Sequence, residues 1–342
     1  MIRGFILKNA SERNWFFSQE KIPLEMGAPS LNTEIYRLAT TGHTVCDIRI
    51  PFRNDGNETI IAACADLHFN LCNKEDAEDE ETNYTEKCRL WQANGKSVPQ
   101  ACKSMEIMEY ADAAVVCGDI MDYLSRGCIE LMNNVIVKKY PEYILTPGGH
   151  ELTKQMQTKL PNKLSLEERV ALVEAAWPHD MHYVSRDVGD KAIAVAIDNG
   201  QQRYLECQIE KLEADISRAR EEGRVLIIFQ HEPINSGNPD DKTVPAVIFA
   251  SGAYKEINFK DGSPIGDFET CDAATRRIYR LICDNADVVR AVVAGHWHSQ
   301  FYGEIVASYE RNGEKVPTVI PQYVIYGNPY FRDGYTARII ID

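Results

Sequence analysis

Five short apolar runs, each closed by Asp or His, constrain this chain more than any other feature. Residues 60–65 end at Asp66-Leu67-His68. Ala113–Cys117 stops at Gly118-Asp119, with Asp122 three residues on. Residues 143–146 run through Pro147 to Gly148-Gly149-His150-Glu151. Val225–Phe229 ends near His231, and residues 291–294 end at Gly295-His296-Trp297-His298. Runs this short, rich in β-branched residues and bounded by Gly, read as buried strands rather than helices. Each therefore delivers Asp or His to a strand's carboxyl end, and sites in open α/β sheets lie outside that edge. The expectation is one site that gathers Asp66, His68, Asp119, Asp122, His150, His231, His296 and His298.

The rest of the composition suits such a sheet protein. The chain has 342 residues, 44% hydrophobic, enough for one large domain or two modest ones. Its net charge of -14 argues against bulk nucleic-acid or anionic-membrane binding, while leaving room for a local basic cleft. Ten cysteines include no C-x-x-C pair, and Cys64 and Cys117 fall inside the expected buried strands. The N-terminal MIRGFILKNASERNWFF lacks the apolar core and cleavage site of a signal peptide, and no apolar stretch reaches the ~18 residues of a membrane span. These features predict a cytoplasmic protein with mostly reduced thiols.

Further expectations follow along the chain. Residues 44–51 alternate as a strand, and Asn54-Asp55-Gly56-Asn57 reads as a hairpin turn into the first site strand. The 1–58 extension thus adds a strand beside residues 58–65, while residues 15–29 remain unplaced. Residues 74–81 (KEDAEDEE) form an acidic run, expected to be solvated and mobile surface or a lid within an insertion at about 70–100. Helices are expected over about 101–111, 125–140, a Ser165-capped stretch, 201–220 with Gly223 at C′, and 272–286 with Asp272 as cap. Ala192–Ile197 is a sixth buried strand ending at Asp198-Asn199, and 319–325 and 336–341 are strands joined through Gly327-Asn328-Pro329. Residues 232–270 read as a long loop beside the site. The fold class is α/β or mixed α+β, in a single domain over 1–342.

Carboxylates and imidazoles are ligands for divalent ions such as Mn, Fe and Zn. Asp66, His68, Asp119, His231, His296 and His298 are too many for one tetrahedral ion and suit two ions that share a bridging carboxylate. Such a pair holds a hydroxide nucleophile and clamps an oxyanion, leaving His150 as acid for the leaving group and Asp122 as the residue that orients it. A lone D-x-H is common by chance; the ordered series behind five strands is what carries the reading. His43, His179 and His182 lack that context and read as surface or satisfied core histidines.

The order D-x-H, G-D-x-x-D, G-x-H-E, a single His, then G-H-x-H resembles the calcineurin-like metallophosphoesterases over residues 60–298. The resemblance implies a four-layer sandwich of two mixed β-sheets flanked by helices. It implies that Asp66, His68, Asp119 and His298 hold one ion, that Asp119, His231 and His296 hold the other, and that His150, paired with Asp122, contacts the phosphate. The implied substrate is a small phosphomonoester or phosphodiester. Three departures stand out: Gly149 replaces the family Asn that lends an amide oxygen to the second ion, Tyr123 replaces a frequent Arg, and the 68–119 gap is long. The first raises the alternative of a metal-binding, catalytically weak interaction module, and predicts that an Asn at 149 would tighten the second site. An amidohydrolase fits less well, because Asp66 stands where that class begins with His-x-His.

Overall fold

The computed structural model describes residues 19–21, 33–38, 41–53, 55–93, 97–152, 164–201, 203–234, 272–298, 300–327 and 334–342. The expectations for the 235–270 loop and for the Asn328-Pro329 connection lie outside them. One sheet contains β1 (Gln19–Lys21), β2 (Thr33–Leu38), β3 (Thr44–Ile50), β4 (Thr59–Cys64), β5 (Ala113–Cys117), β6 (Ile144–Thr146) and the C-terminal β13 (Tyr335–Ile341), in the order β1-β2-β3-β13-β4-β5-β6. The other contains β7 (Tyr183–Val188), β8 (Ala192–Ile197), β9 (Val225–Phe229), β10 (Val289–Ala294), β11 (Phe301–Arg311) and β12 (Glu314–Val324), in the order β11-β12-β10-β9-β8-β7.

β4 shows how the layers arise. Every residue of it is buried, yet successive side chains point to opposite faces. Ile61 and Ala63 enter an inter-sheet core with Ala194, Ile227, Phe229 and Val293 of the second sheet. Ile60, Ala62 and Cys64 pack outward on Met105 and Met108 of a helix and on Met132 of another. The second sheet behaves alike: Ile193, Val195 and Ile228 face outward onto Leu212, Ile216 and Ile278. Strands buried on both faces must be apolar throughout, which is why these runs stand out in the sequence.

The helices are α1 (Lys74–Glu78), α2 (Glu80–Ala93), α3 (Ser97–Met108), α4 (Arg126–Met132), α5 (Leu166–Glu174), α6 (Ile209–Glu222) and α7 (Ala273–Cys283). Ser165 forms the expected capping box on α5, Asp272 caps α7, and Gly223 ends α6 with φ 63°. The fold is thus mixed α/β, with two sheets face to face and helices outside.

Several expectations are corrected. The turn after β3 closes no hairpin: β13 lies between β3 and β4, parallel to the first and antiparallel to the second. The acidic run is largely solvent-exposed as expected, but it is helical. Asn73 caps α1 through a capping box, and Asp76 turns inward to accept the Arg126 and Gly127 amides at 3.0 and 2.7 Å. Those are orphan donors at the start of α4, where a carboxylate is favoured. The helix expected from 201 begins at Ile209, because Tyr204 is buried and its hydroxyl donates to Gln230 Oε1 at 2.6 Å. The stretch expected as one helix over 125–140 is α4 followed by a π-turn at Asn133–Val137.

Candidate metal centre

β4, β5 and β6 run parallel, as do β8, β9 and β10, so each set ends at one edge of its sheet. The two edges are tied to each other. Across the sheets the His296 amide donates to Asp66 Oδ1 at 3.0 Å and His231 Nδ1 lies 3.0 Å from Cys117 O, while within the first sheet the Asp66 amide donates to Gly118 O at 3.0 Å. Gly118 allows that last approach, for a Cβ there would stand 2.4 Å from the His231 ring. All eight expected site residues are brought together here.

The backbone marks the same residues. Asp66, His68, Asp119, His296 and His298 have φ of 54°, 49°, 49°, 71° and 52°. Among the described residues, Asn312 in the β11–β12 turn is the only other non-glycine in this left-handed region. Such positions cost about 1–3 kcal/mol each and gather where function demands a fixed geometry.

Three donor groups result. Asp66, His68, Asp119 and His298 place ligand atoms within 4.8 Å of one another, as do Asp119, His231 and His296, and as do His68, Asp122 and His150. Asp119 joins the first two groups. His68 Nε2 faces His298 Nε2 at 2.9 Å, with Asp66 Oδ1 3.2 Å from the latter. His231 Nε2 lies 3.2 Å from His296 Nδ1 and 3.1 Å from Asp119 Oδ2. Ligands on one ion stand about 3 Å apart when metal–nitrogen bonds are about 2.0–2.1 Å, and these donor pairs have that spacing.

Electrostatics point the same way. Burial pushes Asp119 up, but the His150 and His231 charges outweigh it and hold the carboxyl well below its usual range. Burial pushes His231 down, yet Asp119 and Asp66 raise it to about 10. Burial and the His231 charge drive His296 down to about 3. Buried carboxylates kept ionised need positive charge among them; the His231 proton supplies it here, and a divalent ion held by the same groups would supply it in its place.

A second layer orients these groups, and parts of it depart from the sequence reading. Asp122, expected beside His150, places its carboxylate Oδ1 3.0 Å from His68 Nδ1 and 3.6 Å from His150 Nδ1. What meets His150 Nδ1 at 2.8 Å is the Asp122 main-chain carbonyl. Asn70 donates to Asp122 Oδ2 at 3.1 Å. Glu151, which follows His150 in the motif, accepts the Asp119, Met121 and Gly148 amides at 3.2, 2.9 and 2.6 Å. Tyr123 is buried and donates to Asn70 Oδ1 at 3.0 Å, so it fills structure where the family often has Arg. His43, His179 and His182 stand outside the donor groups; His182 Nδ1 lies 2.7 Å from Asp198 Oδ2.

A two-sheet sandwich that gathers carboxylates and imidazoles at its strand ends forms a candidate metal site. The chain belongs to the calcineurin-like phosphoesterase family, whose sequence pattern matches residues 60–300. Among solved structures it is similar to a purple acid phosphatase from yellow lupin (Lupinus luteus) seeds, with TM-score 0.45 and 14% identity, covering 86% of this chain and 49% of that one. It is also similar to a dimetal phosphatase from Danio rerio, with TM-score 0.41 and 10% identity, covering 79% of this chain and 87% of that one. The chain thus spans about half of the lupin protein's length. No curated protein matches the chain. Among the described residues no helix is long and apolar enough to cross a membrane.

Proposed function

We propose that this protein hydrolyses a small phosphomonoester or phosphodiester using two divalent ions, with Mn, Fe or Zn as the candidates. Asp66, His68, Asp119 and His298 hold one ion in this reading, and Asp119, His231 and His296 the other. The observation that carries it is the sharing of Asp119 between two donor groups whose ligands include five of the left-handed residues. Bound there, the ions would supply Lewis acidity for activating water and polarising phosphate oxygens.

The chain's own residues set the rest. His231 Nδ1 is taken by Cys117 O and His68 Nδ1 by Asp122, which leaves each Nε2 for an ion. His150, with its side chain 18% exposed at the rim, keeps Nε2 toward the Asp119 side and can pass a proton to a leaving oxygen. The buried thiols of Cys64 and Cys117 suit a reducing, cytoplasmic setting. Gly149 favours a second reading, a metal-binding interaction module with little turnover. Hydrolysis of p-nitrophenyl phosphate and bis-p-nitrophenyl phosphate with added Mn decides between them. Turnover abolished by chelator supports the enzyme; two bound ions without turnover support the module; elemental analysis showing no metal overturns both.

A further inference from the structure

Six buried strands run to the site edge, yet only five end in a donor. The sixth, β8, ends in Asp198-Asn199-Gly200, and none of the donor groups among the described residues includes any of these three. We propose that Asn199 is a positioning residue for the second ion's site: it fixes the main chain that carries His231. The inference rests on the two-ion reading above and concerns what keeps the weaker of its two sites in shape.

β8 and β9 pair in parallel as far as Ala196 and Phe229. Beyond that point the backbones part, and the Asn199 side chain takes over the ladder. Its Oδ1 accepts the His231 amide at 3.2 Å and the Glu232 amide at 3.0 Å, while its Nδ2 donates to Glu232 O at 2.8 Å. Asn199 is fully buried, so both lone pairs and one amide hydrogen are spent on a two-residue segment. Gln230 adds a donor to Glu232 O at 2.5 Å. The imidazole is then fixed from two directions. Asn199 holds its main chain, and Cys117 O of the opposite sheet holds Nδ1, which aims Nε2 at Asp119 and His296.

The same turn shapes the neighbouring loop. Gly200 packs so closely on Gly148 that a Cβ at 200 would lie 2.6 Å from the Gly148 carbonyl carbon and oxygen. Gly149, next in line, offers no side chain to the second ion, whose candidate donors among the described residues are Asp119, His231 and His296. A site with one donor fewer tolerates less play in the others, and Asn199 removes that play at His231. The first ion's donors are anchored by other groups: Asp66 accepts the His296 amide and His68 Nδ1 meets Asp122.

The test is a Mn titration of the purified full chain by calorimetry, beside thermal melts. Asn199→Ala should leave the first equivalent unchanged and weaken the second about 10–100-fold, the range for residues that orient ligands. Val195→Ala, a cavity on the helix-facing side of the same strand, is the control: it should lower the melting temperature while both affinities stay at the wild-type value. If Asn199→Ala does not fold, Asn199→Ser is judged on the same criterion. Equal loss of both ions, or a second ion held as tightly as in the wild type, overturns the inference. A wild-type chain that takes up no second ion overturns the two-ion reading itself, and this inference with it.

Discussion

The ring nitrogens of His68 and His298 face each other, Nε2 to Nε2, at 2.9 Å. Two neutral imidazoles share at most one hydrogen there, so at least one lone pair points at the other ring's nitrogen. As an N–H···N bond the contact uses one lone pair; with both hydrogens absent the same two nitrogens would converge on one cation, and Asp122 on the far side of His68 fixes which nitrogen is presented.

Role separation gives the first prediction. Asp119 lies in both donor groups, so Asp119→Asn should lose both ions and all hydrolysis. His150→Ala should retain both ions and lose about 10²–10⁴-fold in rate, the worth of a general acid. Metal content by elemental analysis beside kcat checks this. An His150→Ala protein stripped of metal like Asp119→Asn would contradict the assignment.

Asp122 separates two roles that the sequence could not. If its carboxylate serves His68, as the 3.0 Å contact indicates, Asp122→Asn should weaken the first ion about 10–100-fold. If it served chiefly His150, metal affinity would hold and only the rate would fall. The Mn dependence of hydrolysis, read for midpoint and plateau separately, distinguishes them.

Much of this site was legible because β4, β5, β9 and β10 are buried on both faces. Their apolar runs mark where the sheet stops, and the ligand must stand just after. Non-local pairing was not legible: nothing near Asp55-Gly56 says that a strand 280 residues later will separate β3 from β4. β7 escaped because residues 184–187 are partly or fully exposed and interrupt the apolar signal. β11 was missed although Asn312-Gly313, with φ of 55° and 79°, is a two-residue hairpin turn. Most of the acidic run is solvated surface as its charges suggest, but a count of charges does not reveal that it is helical and that Asp76 faces inward to cap α4. Asn199 carried no signal, since its role depends on where β8 and β9 diverge.

His182 predicts a pH dependence of stability away from the metal site. Its Nδ1 lies 2.7 Å from Asp198 Oδ2 and its Nε2 3.1 Å from Glu174 Oε1. The Asp198 hydrogen bond outweighs burial and raises its pKa above the ordinary 6.5. A raised folded pKa means the stabilisation is fully present below about 6.5 and is lost as pH rises through the folded value. His182→Gln should therefore destabilise most at acidic pH, and the gap to wild type should shrink as pH rises. Urea melts at intervals from pH 5.5 to 8.5 measure it; a constant gap across that range would sink the idea.

Gly149 provides the last prediction, and the structure reverses the simplest expectation for it. From the motif alone, Gly149→Asn should complete the second site. A Cβ at 149, however, would stand 3.2 Å from the Gly200 carbonyl oxygen, so that carbonyl has to move by a few tenths of an ångström. It has little room to do so. The Gly200 amide donates to Asp198 Oδ1 at 3.0 Å, its carbonyl accepts from Gln201 Nε2 at 3.1 Å, and its Cα is already against Gly148. The strain passes to Gly148, beside Asp119, and through the 198–200 turn to Asn199. Gly149→Ala should thus cost about 1–3 kcal/mol, as overpacking does. Gly149→Asn should cost as much and bind the second ion no more tightly than wild type. Gly200→Ala, whose Cβ meets backbone at 2.6 Å, should be the worst of the three. Melting temperatures and Mn midpoints for the series test the ranking. A Gly149→Asn protein that melts with the wild type and holds the second ion more tightly would show that the loop yields and that the missing amide was the sole deficit.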